Sequence, residues 1–203
     1  MTSSQPSSRE PVNKLLRNAL IKGDELSFDE LVSAGPIAVD EFVKFVSAEP
    51  AVPLSGGRAF VDNIMAVSCA LASRFPDKFL AAFDSDRWES SGFVLEGLGC
   101  TELPEARRLL TLALFSDLPG TTRLSAASAL GSIPGPESVQ ALLRALDDLD
   151  YLVKYHAIKS LGMIGDLSVL DRLTSLIEAS GNPGIARSAS QAAEAIRSRF
   201  DPS

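Results

Sequence analysis

Apolar residues recur three and four positions apart through most of the chain, with charged residues between them. Val39, Phe42, Val43 and Val46 show the pattern, and Gly or Pro interrupts it repeatedly. This spacing places the apolar side chains on one face of an α-helix, so the pattern predicts an all-α chain. The predicted helices cover residues 11–21, 27–34, 37–48, 58–75, 76–83, 88–98, 102–115, 121–133, 137–146, 151–162, 167–179 and 185–200.

The second half of the chain repeats itself. Gly99, Gly131 and Gly162 each follow a Leu and stand 32 and 31 positions apart. Two helices per repeat at a fixed period are typical of an α-solenoid, in which neighbouring helix pairs bury each other's apolar faces. In this interpretation the Gly ends the first helix of each repeat. The second helices also correspond, with Val139, Leu142 and Leu146 matching Leu170, Leu173 and Ile177 at an offset of 31.

The repeat that starts at Lys154 has a basic residue, then two small or apolar residues, then Leu-Gly and Ile-Gly-Asp, and the repeat that starts at Arg123 has part of this motif. The residues that carry this motif are Lys154, Ala157, Ile158, Leu161, Gly162, Ile164, Gly165 and Asp166, and less completely Arg123, Ala126, Ala127, Leu130, Gly131 and Ile133. The motif resembles the short HEAT-like repeats found in bilin-lyase subunits and bacterial scaffold proteins. The resemblance implies an α-α superhelix of stacked helix pairs, and such repeats serve many tasks.

The regular pattern covers only part of the chain. Residues 1–10 are polar and rich in Ser, and residues 11–86 are helical in character without a clear period. We predict a disordered tail over residues 1–10 and a single α-solenoid domain over residues 11–203. Within that domain we expect irregular helices over residues 11–86 and HEAT-like repeats with a C-terminal cap helix over residues 87–203.

The charge of the chain is acidic and evenly spread. The formal net charge is −7, with 8 basic and 12 acidic residues among the first 86 and 11 and 14 among the remaining 117. Binding to nucleic acid in general requires a cationic surface that displaces counterions from phosphates. The composition therefore predicts that nucleic acid is not a partner.

The cysteine content and the lack of long apolar segments both bear on the cellular location of the protein. The two cysteines, Cys69 and Cys100, are too few for a disulfide framework, and we interpret them as small buried residues in a reducing environment. No apolar run reaches the length of a membrane helix, and the N-terminus lacks the apolar segment of a signal peptide. These features predict a cytoplasmic protein that does not bind membranes.

The residues that suggest chemistry have simpler structural roles. His156 is the only histidine, and one histidine without cysteines does not make an ordinary zinc site. Arg123, Lys154 and Asp166 are expected to cap helices and bridge neighbouring repeats. Neither a phosphate-binding Gly-Lys-Ser/Thr loop nor a Gly-x-Ser-x-Gly elbow occurs. We predict a protein that is not an enzyme and uses no cofactor or metal.

One face of the second helices is the best candidate for partner binding. With Leu142 and Leu146 pointing inward, positions 141 and 144 are predicted to point away from the core. Arg108, Arg144 and Arg172 then form a basic strip, which HEAT-like solenoids usually place on the concave side. Trp88 is a further candidate, because tryptophan is often an interface anchor.

The predicted function is a non-enzymatic scaffold or adaptor that binds a protein partner in the concave groove. Three alternatives stay open: a subunit of a bilin-lyase-like enzyme, an inhibitor or immunity-type protein that neutralises a basic partner, and a HEAT-like DNA glycosylase. The net charge, one Trp and two Tyr argue against the glycosylase. The oligomeric state and the identity of the partner do not follow from the sequence.

Overall fold

The computed structural model describes residues 9–47, 57–82, 92–101 and 103–200. The chain divides into two compact units, residues 1–103 and 104–203. Helices and turns make up the described residues, which confirms the all-α prediction. The predicted single domain over residues 11–203 stays a prediction. The described residues do not include Trp88, residues 1–8 of the predicted tail or residues 201–203.

The N-terminal unit consists of helices of unequal length. In chain order they are α1 (Arg9–Arg17), a π-helical turn (Asn18–Lys22), α2 (Glu25–Ser33), α3 (Ile37–Val46), α4 (Gly57–Arg74), α5 (Pro76–Ala81) and α6 (Gly92–Leu98). Helix α1 packs against α2 and α3, and α4 packs along α6. Ser68 in α4 donates a hydrogen bond of 2.6 Å to the carbonyl of Phe93 in α6, which ties these two helices together.

A disulfide joins Cys69 in α4 to Cys100, which follows α6. The two Cα atoms are 5.3 Å apart, within the usual range for a disulfide. The prediction of two free, buried cysteines is therefore wrong, because the packing of α4 on α6 brings together residues that stand 31 positions apart in the sequence. Disulfides persist mainly in oxidising compartments. The cytoplasmic location loses this part of its support and stays a prediction.

The C-terminal unit consists of regular helix pairs. Its helices are α7 (Pro104–Leu114), α8 (Gly120–Leu130), α9 (Pro136–Ala145), α10 (Tyr151–Ile164), a 3-10 turn (Leu167–Val169), α11 (Leu170–Ala179) and α12 (Pro183–Phe200). Helices α8, α10 and α12 form one row in which each packs on the next. Helices α7, α9 and α11 pack on α8, α10 and α12 respectively. This arrangement confirms the predicted solenoid of helix pairs.

Small residues set the distances within the row. A Cβ added at Gly131 would lie 2.5 Å from the Oγ of Ser160 on α10, and one added at Gly162 would lie 3.1 Å from the Cα of Ala192 on α12. Helix α8 ends at Leu130, directly before Gly131 and three residues before the predicted bound at residue 133, but α10 continues beyond Gly162 to Ile164. The prediction that Gly162 ends its helix is therefore wrong. Its role is to let α12 approach the backbone of α10 closely.

The last helix completes the end of α10. The guanidinium of Arg199 in α12 donates hydrogen bonds of 2.5 to 2.8 Å to the carbonyls of Gly162, Met163 and Gly165. These carbonyls lie at the C-terminal end of a helix, where the backbone lacks partners further along. A basic side chain there satisfies them and is favoured by the helix dipole. Arg199 of α12 therefore caps the C-terminal end of α10, and the role of α12 as the cap helix of the repeat array stays a prediction.

Candidate partner-binding surface

The exposed face of α7 combines a cation with two large apolar side chains. Arg108, Leu112 and Phe115 stand four and three positions apart, so they lie along one side of the helix and its C-terminal end. Arg108 is exposed, Leu112 is 70% exposed and Phe115 is 39% exposed. Neighbouring exposed apolar side chains of this kind can mark a surface that binds another protein.

Arg144 of α9 extends this face. Its guanidinium carbon lies 4.0 Å from the centre of the Phe115 ring, the geometry of a cation–π contact. The contact fixes the position of Arg144 while leaving it exposed to solvent. Arg108, Leu112, Phe115 and Arg144 are named the α7–α9 surface below. The sequence pointed to the two arginines and missed the two apolar residues between them.

The third arginine of the predicted strip has a partner within the protein. Arg172 of α11 forms an ion pair with Asp147, which follows α9. The pair bridges two neighbouring repeats and leaves both side chains partly exposed.

The burial of one residue beside the predicted strip differs from the prediction. Ala141 was predicted to point away from the core, but it is only 4% exposed, because the buried stripe of α9 includes Ser138, Ala141, Leu142 and Ala145.

Arg123 has a structural role, as predicted, but it joins the two helices of its own repeat rather than neighbouring repeats. Its Nε and one terminal nitrogen donate to the two carboxylate oxygens of Asp148, at 3.1 and 2.9 Å, and its other terminal nitrogen donates to the carbonyl of Leu118 at 2.6 Å. The backbone N–H of Asp150 also donates to Asp148. The two side chains are only 19% and 14% exposed. This cluster ties the start of α8 to the end of α9.

The cluster shifts the pKa values of both ionised groups. The hydrogen bonds to Asp148 raise the pKa of Arg123. Burial alone would raise the pKa of Asp148, but the hydrogen bonds from Arg123 and from the Asp150 backbone outweigh it and lower that pKa. Asp148 therefore stabilises the fold fully above the ordinary carboxyl pKa near 4. This contribution is lost as the pH falls through its lower folded-state pKa.

We expect the substitution Asp148→Asn to lower the free energy of unfolding at pH 7 by about 1 to 2 kcal/mol. The amide keeps the size of the side chain but removes the charge and one of the paired hydrogen bonds. Urea unfolding monitored by circular dichroism measures the loss. The same measurement at pH 3 is expected to show a smaller difference, because the stabilisation by the Asp148 carboxylate begins to be lost once the pH is below the ordinary carboxyl pKa of the unfolded chain. A difference that is unchanged or larger at low pH would contradict this assignment.

The other residues with chemical potential also have structural roles. The Asp166 carboxylate accepts hydrogen bonds from the backbone and the hydroxyl of Ser168, which lower its pKa and cap the 3-10 turn. His156 is half-buried with its ring edge-on to Tyr155, and burial, helped by the charge of Lys159, lowers its pKa. Within the described residues, no three His, Cys, Asp or Glu side chains are grouped as metal ligands would be.

Comparison with known proteins bears on the fold rather than on this surface. Among curated protein sequences, none matches the chain. The crystal structure of an engineered protein, a target of the Northeast Structural Genomics Consortium, superposes with a TM-score of 0.55 at 17% sequence identity. The match covers 98% of this chain and 93% of that chain, and at this identity it shows the fold alone. Among the described helices, none is long and apolar enough to span a membrane.

The family comparison concerns the C-terminal unit. The family model described as HEAT repeats matches residues 107–194, which include α8 to α11 and most of α7 and α12. The match confirms the predicted HEAT-like family, and the narrower likeness to bilin-lyase subunits stays a prediction. Residues 107–194 of this chain are similar to HEAT repeats.

Proposed function

We propose that the protein is a non-enzymatic scaffold that binds a protein partner through the α7–α9 surface. The observation that carries the proposal is the exposure of Leu112 and Phe115 between two arginines. Arginine and aromatic residues are the side chains most often found at the energetic centre of protein interfaces. HEAT repeats commonly mediate protein interactions, which supports the same function.

The contact between Arg144 and Phe115 supports the proposal energetically. A guanidinium already stacked on a ring loses less conformational freedom on binding than a free one. Its remaining N–H groups are available to a carboxylate, with which a guanidinium forms paired hydrogen bonds. The chemistry of the surface fits a partner segment that presents acidic side chains beside apolar ones.

Arg172 is the outlying member of the basic strip. Because Asp147 already neutralises it, a partner carboxylate would have to compete with that ion pair. Its contribution to binding is therefore expected to be smaller than those of Arg108 and Arg144. A charge reversal at Arg172 would also break a contact between repeats, so it is not a suitable test of binding.

Affinity purification from the source cell with the double variant Arg108→Glu, Arg144→Glu tests the proposal. We expect the wild-type protein to retain a stoichiometric partner and the variant to retain at least about tenfold less of it, which corresponds to roughly 1.4 kcal/mol. The matched control is Arg187→Glu, Arg197→Glu, which reverses two exposed charges on α12. Equal recovery with all three proteins would refute the proposal, and so would recovery of no stoichiometric partner.

A second measurement locates the contact. A photo-cross-linking amino acid in place of Leu112 is expected to form a covalent adduct with the same partner. The same amino acid at the exposed position of Gln191 on α12 is expected to form none. Cross-links from position 191 but not from position 112 would place the interface elsewhere.

A further inference from the structure

A second surface of the C-terminal unit contains an open cavity. An open cavity of about 450 Å³ lies where the start of α10 meets the end of α11 and the start of α12. Its walls are mostly apolar, and of the residues that line it only Lys154 is charged. The lining residues that matter here are Leu149, Tyr151, Lys154, Leu176, Ala179 and Ile185. They are named the Lys154 cavity, and none of them belongs to the α7–α9 surface.

The preceding repeat has different residues at the corresponding sequence positions. At an offset of 31 residues, Lys154 corresponds to Arg123 and Ala179 corresponds to Asp148. Arg123 is held by the Asp148 carboxylate, whereas Ala179 has only a methyl group. The repeat that contains α10 therefore keeps the cation but lacks the acid that pairs with it. Ala179 and Lys154 both line the cavity.

Acidic residues near Lys154 do not replace the acid that is missing from this repeat. Within the described residues, Lys154 forms no ion pair with a carboxylate. Its charge helps to lower the pKa of Asp148, but both oxygens of that carboxylate already accept hydrogen bonds from Arg123. One of these two carboxylate oxygens also accepts a hydrogen bond from the backbone N–H of Asp150. The ammonium group is therefore available to a carboxylate from outside the chain.

We propose that the Lys154 cavity binds an acidic side chain of a partner protein together with a neighbouring leucine-sized side chain. The carboxylate would take the place that Asp148 has in the preceding repeat and form a charge-assisted hydrogen bond with Lys154. The apolar neighbour would be buried against Leu149, which is fully exposed, and against Leu176 and Ile185. A cavity of this volume is of ordinary size for a binding site.

The sharpest test fills the site from within. In Ala179→Asp the chain supplies its own carboxylate, as the preceding repeat does, so the variant is expected to fold normally and to exclude an external acid. The probe is a fluorescein-labelled decapeptide of alternating aspartate and leucine, whose binding to the full chain is followed by fluorescence anisotropy at low salt. We expect Ala179→Asp and Lys154→Glu each to weaken binding at least about tenfold.

Two controls make the result specific. A peptide with asparagine in place of aspartate is expected to bind the wild-type chain at least about tenfold more weakly. The variant Lys159→Glu reverses an exposed charge on the same helix and is expected to bind the aspartate peptide as the wild type does. Wild-type affinity in Ala179→Asp, or equal affinity of the wild type for the two peptides, would overturn the proposal.

Two further measurements distinguish peptide binding in the Lys154 cavity from self-association and from binding at the α7–α9 surface. Sedimentation velocity that shows self-association abolished by Ala179→Asp would identify a second copy of the chain as the occupant and overturn the peptide proposal. The double variant Arg108→Glu, Arg144→Glu is expected to bind the peptide normally, because it leaves the Lys154 cavity intact. Loss of peptide binding in that variant would overturn the assignment to this cavity. Failure of the scaffold proposal would leave the peptide result unaffected.

Discussion

Reduction of the Cys69–Cys100 disulfide is expected to lower the free energy of unfolding of the N-terminal unit by about 3 to 4 kcal/mol. The bond closes a loop with a sequence separation of 31 residues and links α4 to the turn after α6. In the unfolded chain this link removes many conformations, so the folded state is favoured when it is intact. Guanidinium unfolding with and without dithiothreitol, monitored by circular dichroism, measures the difference.

The double variant Cys69→Ser, Cys100→Ser gives the same comparison without a reductant. It is expected to unfold at the same denaturant concentration as the reduced wild type and to be insensitive to dithiothreitol. A thiol assay on the native, unreduced protein is expected to detect less than one free thiol per chain. Two reactive thiols under these conditions, or identical unfolding of oxidised and reduced protein, would show that the pair is not a disulfide in solution.

The substitution Gly131→Ala is expected to lower the free energy of unfolding by about 2 to 3 kcal/mol. The new Cβ would lie 2.5 Å from the Oγ and 2.7 Å from the Cβ of Ser160. Ser160 is buried, and its hydroxyl donates a hydrogen bond of 2.8 Å to the carbonyl of Ala127. Either this bond must break or α8 and α10 must move apart. Urea unfolding monitored by circular dichroism measures the cost.

Gly181→Ala is the matched control, because nothing lies within 4 Å of a Cβ added at that position. Its effect is expected to stay within about 0.5 kcal/mol of zero. The double variant Gly131→Ala, Ser160→Gly is expected to be more stable than the sum of the two single changes predicts, because it removes the clash. Additive losses in this cycle would show that Ser160 is not the group against which the new methyl collides.

The parts of the fold that depend on local pattern were predictable from the sequence. The predicted helix over residues 137–146 corresponds to α9 (Pro136–Ala145), since an amphipathic stripe and a first-turn proline are both visible in one stretch of chain. The repeat was visible because the motif recurs at nearly constant spacing. The role of Gly162 was not predictable from the sequence. Glycine occurs both where a helix ends and where two helices pack closely, and the residue type alone does not distinguish the two.

The candidate sites depend on which helices contact each other. A single sequence says less about these contacts than about where each helix begins and ends. The disulfide follows from the packing of α4 on α6, which no local pattern reveals. The stacking of Arg144 on Phe115 likewise depends on how the end of α7 lies against α9. The Lys154 cavity is different, because comparing Asp148 with Ala179 at the repeat offset shows the missing acid in the sequence itself.

The hydrogen bonds of Arg199 have a consequence for synthesis of the chain. The carbonyls of Gly162, Met163 and Gly165 are completed by a residue that the ribosome adds 34 to 37 positions later. While the chain is being made, α10 therefore emerges with an open C-terminal end and an uncovered face toward α12. Helical arrays can fold progressively from neighbour to neighbour. Here the packing of α10 is completed only after α12 has been synthesised. A chain released between these two points would leave the face of α10 that packs on α12 exposed to solvent.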